Sequence, residues 1–172
     1  MSLRIAAPDD DSGGWPSGQL SYLQEDPSMT PKDWTLLVIA SARGKDVSPV
    51  QLQKTLFLIG QNLTSAQRQC AKFYKFRAYD YGPFDRAIYD HADELRNEGL
   101  ILIYPESGSF RNYVALPAGI ERADQLRAEL VPPVTDYLDG VVAWARSLSF
   151  KELVRAIYED YPQMKVNSVF QG

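Results

Sequence analysis

The residues of this sequence that are able to carry chemistry are few, and their spacing does not favour it. His91 is the only histidine and Cys70 the only cysteine among 172 residues. A nucleophilic Cys–His pair would have to be these two, and nothing in their separation supports it. Ligation of a metal by two histidines or by a thiolate cage is excluded by count, as is an internal disulfide. Asp90, Asp93 and Glu94 fall at helical spacing, which on a polar face reads as solvated carboxylates and not as an acid–base pair. No glycine-rich phosphate loop and no G-x-S-x-G occurs. The reading is non-enzymatic: no catalytic residue, no metal, no cofactor.

Binding chemistry is better represented. The net charge of −4 is carried by residues 1–31, where Arg4 stands against Asp9, Asp10, Asp11, Glu25 and Asp26; the remainder is neutral but segregated. Residues 43–77 hold Arg43, Lys45, Lys54, Arg68, Lys72, Lys75 and Arg77 against Asp46. Residues 80–106 reverse the sign, with Asp80, Asp85, Asp90, Asp93, Glu94, Glu98 and Glu106 against Arg86 and Arg96. Such segregation suits a protein partner at least as well as a nucleic acid. The run Arg68 to Arg77 interleaves bases with Phe73, Tyr74 and Phe76, which fits phosphate contact with base stacking. It also fits a strand whose charged side pairs with the acidic helix after it, and the adjacent opposite signs favour that second reading.

These groups are positioned by a short series of elements. Asp33 is expected to cap a helix that runs to Gly44, and Ser48-Pro-Val-Gln51 is a capping box opening a second, with Leu52, Leu56, Ile59 and Leu63 on its buried face. Thr64-Ser65 caps a short turn to Cys70, and Phe73 to Tyr79 reads as a strand. Gly82-Pro83 is expected to turn the chain into a helix over 83–98 whose buried face is Phe84, Ile88, Ala92 and Leu95, stopped at Gly99. Leu100 to Tyr104 and Phe110 to Leu116 then form a hairpin around the loop 105–109. A helix followed by a hairpin is the second half of a winged helix. Pro117 opens a helix with Ile120, Ala123, Leu126 and Leu130 on one face; a further helix carries Val134, Leu138, Val141, Val142 and Ala145; the capping box Ser149 to Glu152 starts a last one, closed by Pro162.

The resulting expectation is an α+β, mostly helical chain: a flexible leader over 1–31, a winged-helix-like domain with a small β-hairpin wing over 32–116, and a C-terminal helical extension over 117–172. No apolar run approaches the ~18 residues of a membrane span, and the start Met1-Ser-Leu-Arg-Ile-Ala-Ala has no signal-peptide core. The expected location is cytoplasmic. On the helix that precedes the wing, acids outnumber bases and would repel phosphates, while Tyr89 stands among charges as an interface residue does. The expected protein-binding residues are Tyr81, Phe84, Asp85, Tyr89 and Asp90. The alternative, a DNA-binding transcriptional regulator, would use Lys72, Lys75, Arg77 and Arg111.

Two resemblances bear on this. Leu52-Gln-Lys-Thr-Leu-Phe-Leu58 followed by Tyr79-Asp-Tyr-Gly-Pro-Phe-Asp-Arg-Ala-Ile-Tyr89 resembles the Panacea (SocA-like) antitoxin domain over roughly residues 52–100, with Thr55 interrupting its double-leucine helix. That resemblance implies a small bacterial or phage protein that neutralises a toxin or serves as an adaptor, for example toward a protease, without catalysis. Leu95-Arg-Asn-Glu-Gly-Leu-Ile101 with Tyr113-Val-Ala-Leu-Pro-Ala-Gly119 is similar to the ending of winged-helix regulators of the PadR and MarR kind. This second likeness implies a homodimer formed by the helices after the wing, over 117–146.

Overall fold

Small polar residues decide where the helices begin. In the computed structural model, which describes residues 29–105 and 111–172, Thr30, Ser48, Thr64 and Ser149 each accept the amide of the third helical residue, whose side chain returns a bond to the cap. These four boxes open α1 (Pro31–Ala40), α2 (Pro49–Asn62), α3 (Ser65–Arg68) and, late in the chain, α7 (Phe150–Asp160). Proline at the first turn marks α5 (Pro117–Arg127) and α6 (Pro132–Ser147). Asp33 is therefore not the cap of α1, as expected, but the third residue of its box, reciprocating Thr30. The folded unit also starts earlier than residue 32: Met29 is buried and its amide donates to the Gln69 carbonyl. The rest of the expected leader, and the tip of the wing, lie outside the described residues.

The Tyr-Gly-Pro-Phe stretch departs from expectation. Gly82–Phe84 is a strand, β2, paired antiparallel with β1 (Arg77–Tyr79), so that Arg77 faces Phe84 and Tyr79 faces Gly82. Helix α4 (Ala87–Asn97) begins only after Asp85, whose carboxylate accepts the Ala87 amide. Phe84 thus leaves the buried face, which is Ile88, Ala92 and Leu95. The expected strand 73–79 is paired only at 77–79. A second hairpin, β3 (Ile101–Pro105) with β4 (Arg111–Ala115), follows α4, and Val47 bridges Tyr113 through reciprocal amide–carbonyl bonds of 2.9 Å.

α2 is the central element. Every residue from Leu52 to Ile59 is buried, including Gln53, Lys54 and Thr55, because α1, α6, α7 and β2 surround it. One continuous apolar core joins Trp34, Leu37, Leu56, Ile88 and Tyr113 to Ala123, Leu126, Leu138, Val141, Leu153 and Ile157. The helices after residue 116 complete this core and are not an appended subdomain, and the stripes of α5 and α6 offered for dimerisation are buried against their own chain, Ile120 excepted. Gly119 of α5 packs directly on the backbone just before β3, where a Cβ would lie 1.9 Å from the Leu100 carbonyl oxygen. Among the described residues the architecture is α+β, mostly helical with two small antiparallel sheets. Among the described residues, no helix is long and apolar enough to cross a membrane.

Candidate functional site

Two consecutive polar residues in the buried middle of α2 hold the stretch 82–85 in place. The Gln53 side-chain amide donates to the Asp85 carbonyl and its oxygen accepts the Asp85 amide, both at 3.0 Å. Beside it the Lys54 ammonium donates to the Pro83 carbonyl at 3.1 Å while only 3% exposed, and burial pulls its pKa down to about 7. The fit is close: at Gly82, whose φ is +99°, a Cβ would sit 3.3 Å from the Tyr158 ring and 3.6 Å from Lys54 Cε. Asp85 contributes both carboxylate oxygens to the same scaffold, one to the Ala87 amide at 2.9 Å and the other to the Lys75 amide at 2.8 Å. Asp85 thus builds the site; its carboxylate is not a free contact for a partner. Gln53 and Lys54 went unassigned in the sequence, although the unbroken apolar run Leu56 to Ile59 beside them signals a helix enclosed on all sides.

Two grooves flank the segment 82–85: Tyr81 and Tyr89, on either side of it in sequence, line one, and Phe84 and Asp85 line the other. Around α4, residues two apart point about 200° from one another, so Tyr89 lines one groove while Ala87 and His91 line the other. The first, of about 620 Å³, is walled by Val50, Tyr113, Leu148, Phe150 and Leu153, with Tyr81, Tyr89 and Arg111 at its edges. Tyr81 and Phe150 are 41% and 43% exposed and meet edge to face at 5.0 Å. Burial pushes the Tyr89 phenol up, opposed by a hydrogen bond with Gln53. The second groove, of about 510 Å³, is edged by Lys72, Lys75, Arg77 and Arg86 and floored by Phe73, Tyr74, Phe84, Asp85 and His91.

The expected protein-binding residues therefore separate. Tyr81 and Tyr89 share the apolar groove, Phe84 and Asp85 belong to the basic one, and Asp90 is exposed on α4 outside both. The alternative set separates too, since Lys72, Lys75 and Arg77 share the basic groove while Arg111 edges the apolar one and is bound to Asp93 at 2.7 Å. The pairing expected between the basic run and the acidic helix does not form. Among the described residues, the acids of α4 find other cations, Glu94 and Glu98 meeting Lys32 and Asp93 meeting Arg96 and Arg111. Arg68 alone leaves the run, buried where it donates to the carbonyls of Gly60, in the last turn of α2, and Leu63, its C-cap, and stacks on Phe73.

His91 and Cys70 are engaged separately. The Cys70 thiol donates to the Lys72 carbonyl, and burial pushes its pKa up. Tyr74 Oη lies 2.6 Å from His91 Nδ1, 2.7 Å from Thr35 Oγ1 and 3.1 Å from the Pro31 carbonyl. The phenol carries one proton for these three neighbours, so Tyr74 and His91 are tied into a part-buried polar cluster on the inner side of α4 and are not presented as a free acid or base. No protein-family model, no curated protein and no solved structure matches this chain.

Proposed function

We propose that this chain is a non-enzymatic protein-binding module of the antitoxin or adaptor kind, built on a winged-helix frame. The frame is supported by the order α1, the Val47 bridge, α2, α4 and the β3–β4 hairpin, with Val47 adding a third edge to the hairpin. The binding reading rests on the 620 Å³ groove, which is lined by apolar side chains and carries exposed Tyr81 and Phe150 at its mouth with Tyr89 and Arg111 beside them. Aromatic and arginine side chains around an apolar depression are the composition from which interface hot spots are made. Its shape suits an apolar side chain or two from a partner's helix or extended segment, with Arg111, Asn112 and Gln51 available at the rim. Duplex reading by α4 is weaker, because its exposed face is dominated by Asp90, Asp93, Glu94 and Glu98 and its arginine neighbours are spent on Asp93.

The test compares capture by the wild-type chain with capture by Tyr81→Ala/Phe150→Ala, from lysate of the source organism after nuclease treatment, with bound proteins quantified by mass spectrometry. A protein held in stoichiometric amount by the wild type and lost from the variant supports the proposal. Equal capture by both, or nothing but nuclease-sensitive material, overturns it.

A further inference from the structure

The basic groove has a composition that protein docking leaves unexplained. Lys72, Lys75, Arg77 and Arg86 are exposed around it, and among the described residues none of the four makes an ion pair. The one carboxylate on its floor, Asp85, already accepts two backbone amides. Further along the same side of α4, Glu94 and Glu98 are gathered onto Lys32. The groove thus concentrates positive charge in a chain whose net charge is −4. Four like charges this close repel one another, and an anionic ligand relieves the repulsion.

The rings narrow the class of anion. Tyr79 is 45% exposed and stacks on Phe84 at 4.9 Å with the planes 27° apart, and the Arg77 guanidinium lies over Tyr79 at 5.9 Å from its centroid. Phe73 and Phe84, both half-buried, line the groove together with the cations. Lysines and arginines set among aromatic rings, Phe73 and Phe84 half-buried in the lining and Tyr79 exposed beside it, match a phosphodiester backbone whose unpaired bases stack, since each base offers a π-face and each linkage one charge. An acidic peptide would use the cations and leave the rings idle. A duplex, whose bases are stacked on each other, would do the same.

We infer that this groove binds single-stranded nucleic acid, with Lys72, Lys75, Arg77 and Arg86 on successive phosphates and the Tyr79–Phe84 stack as the base platform. The inference does not depend on the protein-binding groove, and the variants that test it leave Tyr81 and Phe150 in place.

The experiment is fluorescence anisotropy of the full chain with a labelled twelve-nucleotide oligothymidine, titrated at several salt concentrations. The expected dependence of log K on log salt has a slope of about −3, for roughly four phosphates neutralised on a single strand. Lys72→Ala/Lys75→Ala/Arg77→Ala is expected to bring the slope to about −1, Lys75→Glu to abolish binding at moderate salt, and Tyr79→Ala to weaken it about tenfold. These side chains are exposed, and circular dichroism of each variant reports that the fold is kept. A polyglutamate peptide of equal length that binds as tightly, with Tyr79→Ala having no effect, would reduce the groove to a general anion patch and overturn the inference. So would a duplex that outcompetes the single strand, or no binding at low salt.

Discussion

Tyr81 and Tyr89 look onto walls of Val50, Leu148, Phe150 and Leu153, whereas Phe84, Arg86 and His91, from the same short stretch, look onto Lys72, Lys75 and Arg77. Composition does not separate these residues; backbone geometry does. The β1–β2 turn presents Tyr81 to one groove, Phe84 follows on the other side, and the first turn of α4 then points Tyr89 away from Ala87 and His91. The pair Gln53 and Lys54 fixes Pro83 and Asp85, the segment that lies between Tyr81 on the one side and Tyr89 on the other and carries Phe84 into the basic groove. An apolar and a basic surface thus draw on one short stretch of the molecule; perturbing the shared support should damage both, and perturbing either wall only one.

The largest effect is expected from the support's own titration. Lys54 has a pKa near 7 in the fold against 10.5 for an unburied lysine, so between those values the unfolded chain holds the extra proton. Stability then rises with pH across that window, by up to about 1.4 kcal/mol per pH unit, and is lowest below pH 7. Above pH 10 the sign reverses: burial pushes the phenols of Tyr74 and Tyr113 up, and that of Tyr137 up to about 12, so they stay protonated while unfolded tyrosines ionise. Urea unfolding from pH 6 to 11 should pass through a maximum near pH 9 to 10. In Lys54→Met the rise should vanish and the fall should remain; an unchanged rise would mean that Lys54 is not its source.

Next in size is Gln53→Ala. It removes two hydrogen bonds to the Asp85 backbone in a site that is 1% exposed, and the expected cost is about 2–3 kcal/mol by chemical denaturation. Because the segment loses its anchor, oligonucleotide affinity and partner capture should fall together. Loss of one without the other would show that the grooves are held independently.

Much of the frame was legible in the sequence, for a physical reason. The boxes at Ser48, Thr64 and Ser149 act through contacts three residues apart, and the stripes of α2, α5 and α6 follow the helical period, so local pattern carried them. Phe84 was misplaced because Pro83 reads equally well as a first helical residue and as an edge-strand residue; the choice was made by Gln53, some thirty residues away. The same kind of distant partner decided the charges. Opposite sign in adjacent segments suggested mutual pairing, yet Lys32 and Arg111, remote in sequence, took the acids of α4 and left the basic run open. The division of the residues proposed from the sequence between two grooves required the fold.

A smaller perturbation reaches one wall alone. Phe150 touches Tyr81 at 5.0 Å and Phe170 at 6.2 Å between ring centroids and is 43% exposed. Phe150→Ala should cost about 1 kcal/mol in stability, abolish capture of a groove-bound protein, and leave oligothymidine affinity within twofold. A loss of oligonucleotide binding on this substitution would break the division.

The smallest effect tests the same division from the electrostatic side. Arg111 edges the apolar groove and is tied to Asp93 at 2.7 Å, with both side chains well exposed. Exposed pairs of this kind contribute little, so Arg111→Ala should change stability by about 0.5 kcal/mol or less. Its charge is not poised over the basic groove, and its neighbour Asp93 retains Arg96 at 3.7 Å. The salt dependence of oligothymidine binding should therefore stay as in the wild type, while Lys75→Ala lowers its slope by roughly one phosphate contact. Equal effects from the two substitutions would extend the nucleic acid onto the wing, on the path that a winged helix reading duplex DNA would use, and the basic groove would lose its claim to be a separate site.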